Sequence, residues 1–384
     1  MLLNILKYCI LLLLLCNIPG YLLVYFGPSL GSISSLLSSL LLLVYFILSK
    51  PWHKPALPFI VFGILFFALS GLNYTEVDTT NYFIKEFIRF MIVVVCITEV
   101  LYRTTKKDLF FILLIGGISV IINGLLFPEA NVLHNLVKGR FSGFYLNPNY
   151  AASICLIGFA LSYSIKNKVW SIIGQLTFTL AGILTLSRTF ILVWLIINLI
   201  AIYKSRRNLI VPILGVVVLV LVLNFTDNNI FASNRFEALQ SFFGDGPIKT
   251  KTIQEDSRNQ TWAMYYDLIF EKPFIGHGFL KFQKHTSVMP GVHNTYLMII
   301  GEAGVLPFLL FIFIYGRLFV KSVKYFNIEP TLSFITIIIL LYLLVGHTYF
   351  FNFPIVLMSI YVYIQLRNLD ELNTKTSNHS KIEN

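Results

Sequence analysis

Charge is scarce in this chain and cysteine scarcer. Only 12% of residues are Asp, Glu, Lys or Arg, about half the usual share of a water-soluble domain. The four cysteines, Cys9, Cys16, Cys96 and Cys155, all fall inside apolar runs, and none is paired at a metal-ligand spacing, so no disulfide framework or zinc site is implied. Asp-x-Asp pairs and His/Cys clusters are also missing, so nothing in the sequence implies a divalent metal or another cofactor.

What is present is hydrocarbon. Apolar residues make up 57% of the chain, and long runs of Leu, Ile, Val and Phe recur from end to end. A span needs about 20 mainly apolar residues, and the candidates are 5–26, 30–48, 57–72, 83–101, 109–127, 149–165, 169–187, 189–203, 209–225, 293–320, 331–350 and 353–367. The sequence therefore predicts an all-α integral membrane protein of about twelve spans. The first run follows Lys7 and lacks a small-residue cleavage site, so it reads as an anchor rather than a signal peptide.

The net charge of +11 does not point to nucleic acid, because its distribution carries the meaning. Lys50/Lys54, Arg103/Lys106/Lys107, Lys166/Lys168, Lys204/Arg206/Arg207 and Lys321/Lys324 fall in every second short loop. The positive-inside rule puts those loops, and both termini, in the cytoplasm. Four regions follow: 1–225 and 293–367 as membrane helices, 226–292 as a large outer loop, and 368–384 as a polar, disordered tail.

The outward face then collects a set of cations. Arg140 sits in the 128–148 loop, just before a span that Pro148 opens with Asn147 or Asn149 as cap. Arg188 lies in TLAGILTLSRTFILVWLI, which is two spans if residues 187–189 turn and one long helix with a buried charge otherwise. Lys85 and Arg89 share a helical face with Glu86 between them, as an internal salt bridge or an anion contact. Within the outer loop, Ser257 or Asp256 caps a helix whose Trp262, Tyr265, Tyr266, Ile269 and Phe270 form an apolar stripe for the membrane interface. Arg258 opens that helix, Pro273 stops it, and Gly276 and Gly278 turn the chain. His293 and Asn294 stand at the head of the next span, where Gly301 and Gly304 would admit another helix closely. His347 reads as structural.

Arginine forks bind phosphate bidentately. Charge that grows on a departing pyrophosphate is where they act best. A histidine, whose ordinary pKa is about 6.5, can take a proton from an attacking sugar hydroxyl.

With these residues in place, the chain resembles the O-antigen ligase and polymerase superfamily of bacterial surface-polysaccharide assembly. The resemblance rests on GRFSGFYLNPN at 139–149, LSRT at 186–189, SRNQTW at 257–262, EKPFIGHG at 271–278 and HNTYLMIIGEAG at 293–304. It implies a metal-independent membrane glycosyltransferase of GT-C type in the bacterial inner membrane. The donor would be an undecaprenyl-pyrophosphate-linked oligosaccharide, with membrane lipids and a chain-length regulator as further partners. His293 and Arg258 would be catalytic, Arg188, Arg140, Arg89 and Lys85 would hold pyrophosphate, and Asn294 and Asn149 would support them.

Within that superfamily, a polymerase passes the growing glycan to another lipid-linked repeat unit, whereas a ligase passes it to lipid A core. The polymerase reading is preferred. One scheme for polymerases places Arg, ten residues and Gly in each of two outer loops; Arg235 and Gly246 fit it, while Arg140 has Ala151 at the matching place. A flippase or other transporter has a similar number of spans but usually shows repeats around a midplane site. No repeat is evident here.

Overall fold

The computed structural model describes residues 1–75, 82–130, 139–225, 258–285 and 289–382. Residues Arg235, Gly246, Asp256 and Ser257 lie outside the described set. Among the described residues there are 15 α-helices and no strand. The chain divides into two compact units, each assembled from separate stretches.

One unit comprises residues 1–7, 39–104 and 265–384. Its helices are α4 (Leu57–Leu72), α5 (Tyr82–Tyr102), α12 (Thr295–Ala303), α13 (Val305–Lys324), α14 (Pro330–Leu343) and α15 (Phe353–Ile382). Helix α4 packs on α5, α12 and α13, while α15 packs on α5, α13 and α14. An aromatic cluster fills the centre: Phe350 stacks on Phe66 with ring centroids 4.0 Å apart and meets Phe90 edge-on at 5.0 Å. Phe279 joins it 5.3 Å from Phe67. Such ring pairs add directional attraction to burial, so two loop residues, Phe279 and Phe350, are fixed by the helical core.

The other unit comprises residues 8–38 and 105–264. It holds α2 (Ile18–Phe26), α6 (Lys106–Leu126), α7 (Pro148–Ser162), α8 (Lys168–Leu184), α9 (Arg188–Lys204) and α10 (Ile210–Phe225). Helices α6, α7 and α8 pack mutually, and α9 and α10 flank them. Three helices, α1 (Leu2–Leu15), α3 (Pro28–Leu48) and α11 (Arg258–Glu271), contribute residues to both units.

The helical class agrees with expectation, but the span count is lower. Among the described residues only α3, α6 and α13 are long and apolar enough to cross a membrane, and α1 with α2, bent by 59°, makes a fourth if the pair is one span. Helices α4, α7, α8 and α14 are apolar but shorter; at about 1.5 Å per residue they fall short of roughly 30 Å of hydrocarbon. Helix α5 is long enough but carries Lys85, Glu86, Arg89 and Glu99. The run at 293–320 is two helices broken at Gly304, and the run at 331–350 stops at Leu343.

The tail also differs from expectation. Helix α15 continues to Ile382 instead of ending in a disordered tail near Arg367. Lys321 and the Tyr325 hydroxyl both bind Asp370, which anchors the extra turns to α13 and its C-cap.

Candidate functional site

In the second unit the geometry begins at Arg140. Its side chain is buried, and its Nε donates to the Thr185 carbonyl at 2.9 Å while an Nη donates to Asn149 Oδ1 at 2.9 Å. Asn149 Oδ1 also accepts the Ser187 hydroxyl at 3.3 Å. A guanidinium placed this way braces two helix starts. Asn147 caps α7 through the N–H groups of Asn149 and Tyr150, with Pro148 in the first turn. Ser187 caps α9 through the N–H of Phe190. Residues 185–187 are the turn between α8 and α9, so Arg188 is the exposed first residue of α9 and not a charge within one long helix.

Helix α11 starts at Arg258, which is half-buried, as the apolar spacing suggested. The buried stripe is narrower than expected: Tyr265 and Ile269 are buried, Trp262 is half-buried, and Tyr266 and Phe270 are exposed. The Tyr265 hydroxyl reaches the Pro290 carbonyl, which ties the helix to the segment leading to His293.

The segment after α11 explains the Pro and Gly residues of EKPFIGHG. The His277 N–H donates to the Gly301 carbonyl at 2.8 Å and the Gly278 N–H to the Glu302 carbonyl at 3.1 Å. Asn73 Nδ2 holds the Gly276 carbonyl at 2.7 Å, and the Phe279 N–H reaches the Ser70 carbonyl at 3.1 Å. Gly301 therefore faces the Phe282 ring, and Gly304, at φ +83°, lies against the backbone of Phe274. The expected close approach of another helix is replaced by close approach of this turn.

Asn294 is buried and caps α12, its Oδ1 accepting the N–H groups of Tyr296 and Leu297 at 2.9 and 3.2 Å. His293 precedes it at φ +49° and is exposed. A left-handed conformation is uncommon for residues other than glycine. It recurs just before two other polar caps, at Leu146 (φ 63°) and Leu186 (φ 46°).

The His293 ring meets the His347 ring edge-on, with centroids 4.4 Å apart. His347 lies in the loop between α14 and α15 and is hydrogen-bonded to the Gln283 carbonyl; burial, with His293 beside it, lowers its pKa to about 4. It stays a neutral imidazole at pH 7. Gly291 leaves the room for this: a Cβ there would lie 2.8 Å from His347 Nε2 and 3.0 Å from the Gln283 carbonyl.

Behind Gln283 stands Glu302, fully buried on α12. At nine residues that helix is too short to cross a membrane. Glu302 accepts the Phe282 N–H at 2.9 Å and Gln283 Nε2 at 2.9 Å. Burial outweighs these bonds and raises its pKa to about 8. A line of contacts thus runs from His293 through His347 and Gln283 to Glu302. Sequence reading had set His347 aside as structural and had missed Gln283 and Glu302. The one available signal was an acid alone among apolar residues in MIIGEAG.

Lys85 and Arg89 belong to the same unit as His293. Lys85 is exposed, 5.7 Å from the Tyr82 ring centre, and the Arg89 guanidinium lies 4.6 Å over Phe353. The intervening Glu86 is buried, and its Oε2 has no hydrogen-bond partner among the described residues. Arg140, Asn149, Arg188 and Arg258 belong to the other unit.

Residues 173–312 match a family described as O-antigen ligase. A comparison with curated proteins finds no match. The matched region includes Arg188, Arg258, His293, Asn294, Gln283 and Glu302, whereas Lys85, Arg89, Arg140 and Asn149 precede it and His347 follows it.

Proposed function

We propose that this protein is a surface-polysaccharide polymerase. It transfers a growing glycan from undecaprenyl pyrophosphate to the non-reducing-end hydroxyl of another lipid-linked repeat unit, on the outer face of the bacterial inner membrane. The observation that carries the reading is the exposed His293 at the capped head of α12, inside the region that matches the O-antigen ligase family. Its backbone is fixed by the Asn294 cap and its ring lies against a neutral His347.

In the proposed reaction the acceptor hydroxyl gives its proton to His293 while its oxygen attacks the anomeric carbon. The bond from that carbon to the pyrophosphate oxygen breaks, and the electron pair leaves with the pyrophosphate. Arg258 and Arg188 stabilise the charge that accumulates there, the stage at which an electrostatic contact accelerates the reaction. Lys85 and Arg89 are further phosphate contacts. Arg140 and Asn149 act one step back, by holding the turn from which Arg188 projects.

His293→Ala and Arg258→Ala proteins, inserted in the membrane at normal levels, are expected to make no long polymer. Full-length polymer from either overturns the assignment of that residue. Activity should persist in EDTA, because arginine takes the place of a metal at the leaving group.

The family description itself favours a second reading, ligation to lipid A core. Offering purified enzyme either repeat-unit lipid or lipid A core as acceptor separates the two. Transfer to core alone would replace the polymerase reading with the ligase.

A further inference from the structure

A cleft of about 290 Å³ opens among α4, α13 and α15, lined by Pro58, Phe313, Ile314, Leu318, Leu366 and Tyr363 with Arg317, Lys321 and Arg367. That volume lies just under the roughly 300–1,000 Å³ of small-molecule pockets. It suits a headgroup and the beginning of a chain rather than a whole lipid.

Its charges are unbalanced. Asp370 is taken by Lys321 and Tyr325, and Glu371 by Lys54. Arg367 donates to the Pro55 carbonyl at 3.4 Å and lies over the rings of Tyr363 and Tyr102 at 5.6 and 6.0 Å. None of these contacts brings an anion.

Arg317 is the sharper case. It stands on α13 in an exposed stripe with Leu306, Leu309, Phe313 and Val320, spaced to share one helical face. Helix α13 is long and apolar enough to cross a membrane, so this face is the one offered to lipid. Among the described residues no hydrogen bond or ion pair engages Arg317. A guanidinium in such a stripe is costly unless an anion meets it. Arg317 precedes Lys324 by about 10 Å of helix, a depth at which phosphate headgroups are available.

We propose that this cleft binds an anionic phospholipid, with Arg317 and Arg367 on its phosphate and Phe313, Ile314, Leu318 and Leu366 along its acyl chain. The site lies toward the basic end of α13, where Lys321 and Lys324 stand in the last turn, and the positive-inside rule gives that end to the cytoplasm, where anionic lipid is concentrated. It does not rest on the polymerase reading, and its readout is independent of glycosyl transfer.

The test uses the full chain in phosphatidylcholine nanodiscs with increasing phosphatidylglycerol, read by thermal unfolding and by native mass spectrometry of retained lipid. Phosphatidylglycerol should raise the midpoint and remain bound. Arg317→Gln and Arg367→Gln should each weaken retention about fivefold, and Lys324→Gln should leave it unchanged. Phe313→Trp should be quenched by brominated phosphatidylglycerol and protected by the unlabelled lipid, which keeps the idea testable if an arginine variant fails to insert. Equal retention of phosphatidylcholine overturns the proposal. So does an equal loss in Lys324→Gln, which would mean diffuse surface charge, or full stabilisation by inorganic phosphate, which would mean an ion site without a chain.

Discussion

At the scale of single residues, Glu302 and His347 pull stability in opposite directions with pH. The Glu302 carboxyl is raised to about 8 by burial, so the folded state holds a proton that the unfolded chain releases above about pH 4.3. Its stabilising contribution is complete below that value and is lost as pH rises through 8. His347 is lowered to about 4, so its contribution is complete above about pH 6.5 and is lost as pH falls through 4. Each proton is worth about 1.4 kcal/mol per pH unit. The two slopes cancel between about pH 4.3 and 6.5, leaving a net fall in stability from about pH 6.5 to 8. Thermal unfolding in detergent across this range should show that plateau and fall. Glu302→Gln should abolish the fall and expose the rise from His347, and an unchanged profile would refute the assignment.

Gly291 is a second residue-scale test. A Cβ at that position meets His347 Nε2 at 2.8 Å, so Gly291→Ala must displace the His347 ring from its present seat. The expected cost is about 1–3 kcal/mol, as for other overpacked sites. Polymer synthesis should fall with it, measured at equal membrane protein.

At the scale of elements, polar caps and glycine breaks decide where helices begin. Asn147, Ser187 and Asn294 each satisfy orphan N–H groups, and replacing any one with Ala should cost about 0.5–2 kcal/mol of unfolding free energy. The break between α12 and α13 is stricter, since a Cβ at Gly304 would lie 2.1 Å from the Phe274 carbonyl oxygen. Gly304→Ala should therefore destabilise more than any cap variant does. Helix α11 leaves Tyr266, Phe270 and, just beyond it, Phe274 exposed, and the proposed interfacial placement is testable through them. Phe270→Trp should be quenched by shallow brominated lipid more strongly than Asp267→Trp. Equal quenching would remove α11 from the interface.

At the scale of the whole molecule, neither unit is contiguous in sequence. The region at 173–312 that matches the O-antigen ligase family leaves out α4, whose Ser70 and Asn73 hold the 276–279 turn. It also leaves out α6 and α7, which pack on α8. Expressed alone, residues 173–312 should not give a protease-resistant fragment, whereas the full chain should. A stable fragment would show that the matched region carries its own core.

Composition and periodicity were enough to anticipate apolar helices and no strand among the described residues, because burial in hydrocarbon demands long apolar runs with internally bonded backbones. Local chemistry also announced helix α11 and, as one of two candidates, the Asn147 cap, since caps and amphipathic stripes act within a few residues; the expected turn at 187–189 falls instead at 185–187, with Ser187 as the cap of α9. Length misled the count: apolar runs continue across breaks at Gly304 and beyond Leu343 that hydropathy does not register. The left-handed backbone at Leu146 and Leu186 had no local signal, because leucine does not favour it and the surrounding contacts hold it; at His293 the residue type tolerates it somewhat better. The pairing of His293 with His347, and the support from Gln283 and Glu302, likewise depend on segments far apart in the chain. They meet because Phe279 and Phe350 enter one aromatic core, a matter of packing that the tertiary structure alone decides.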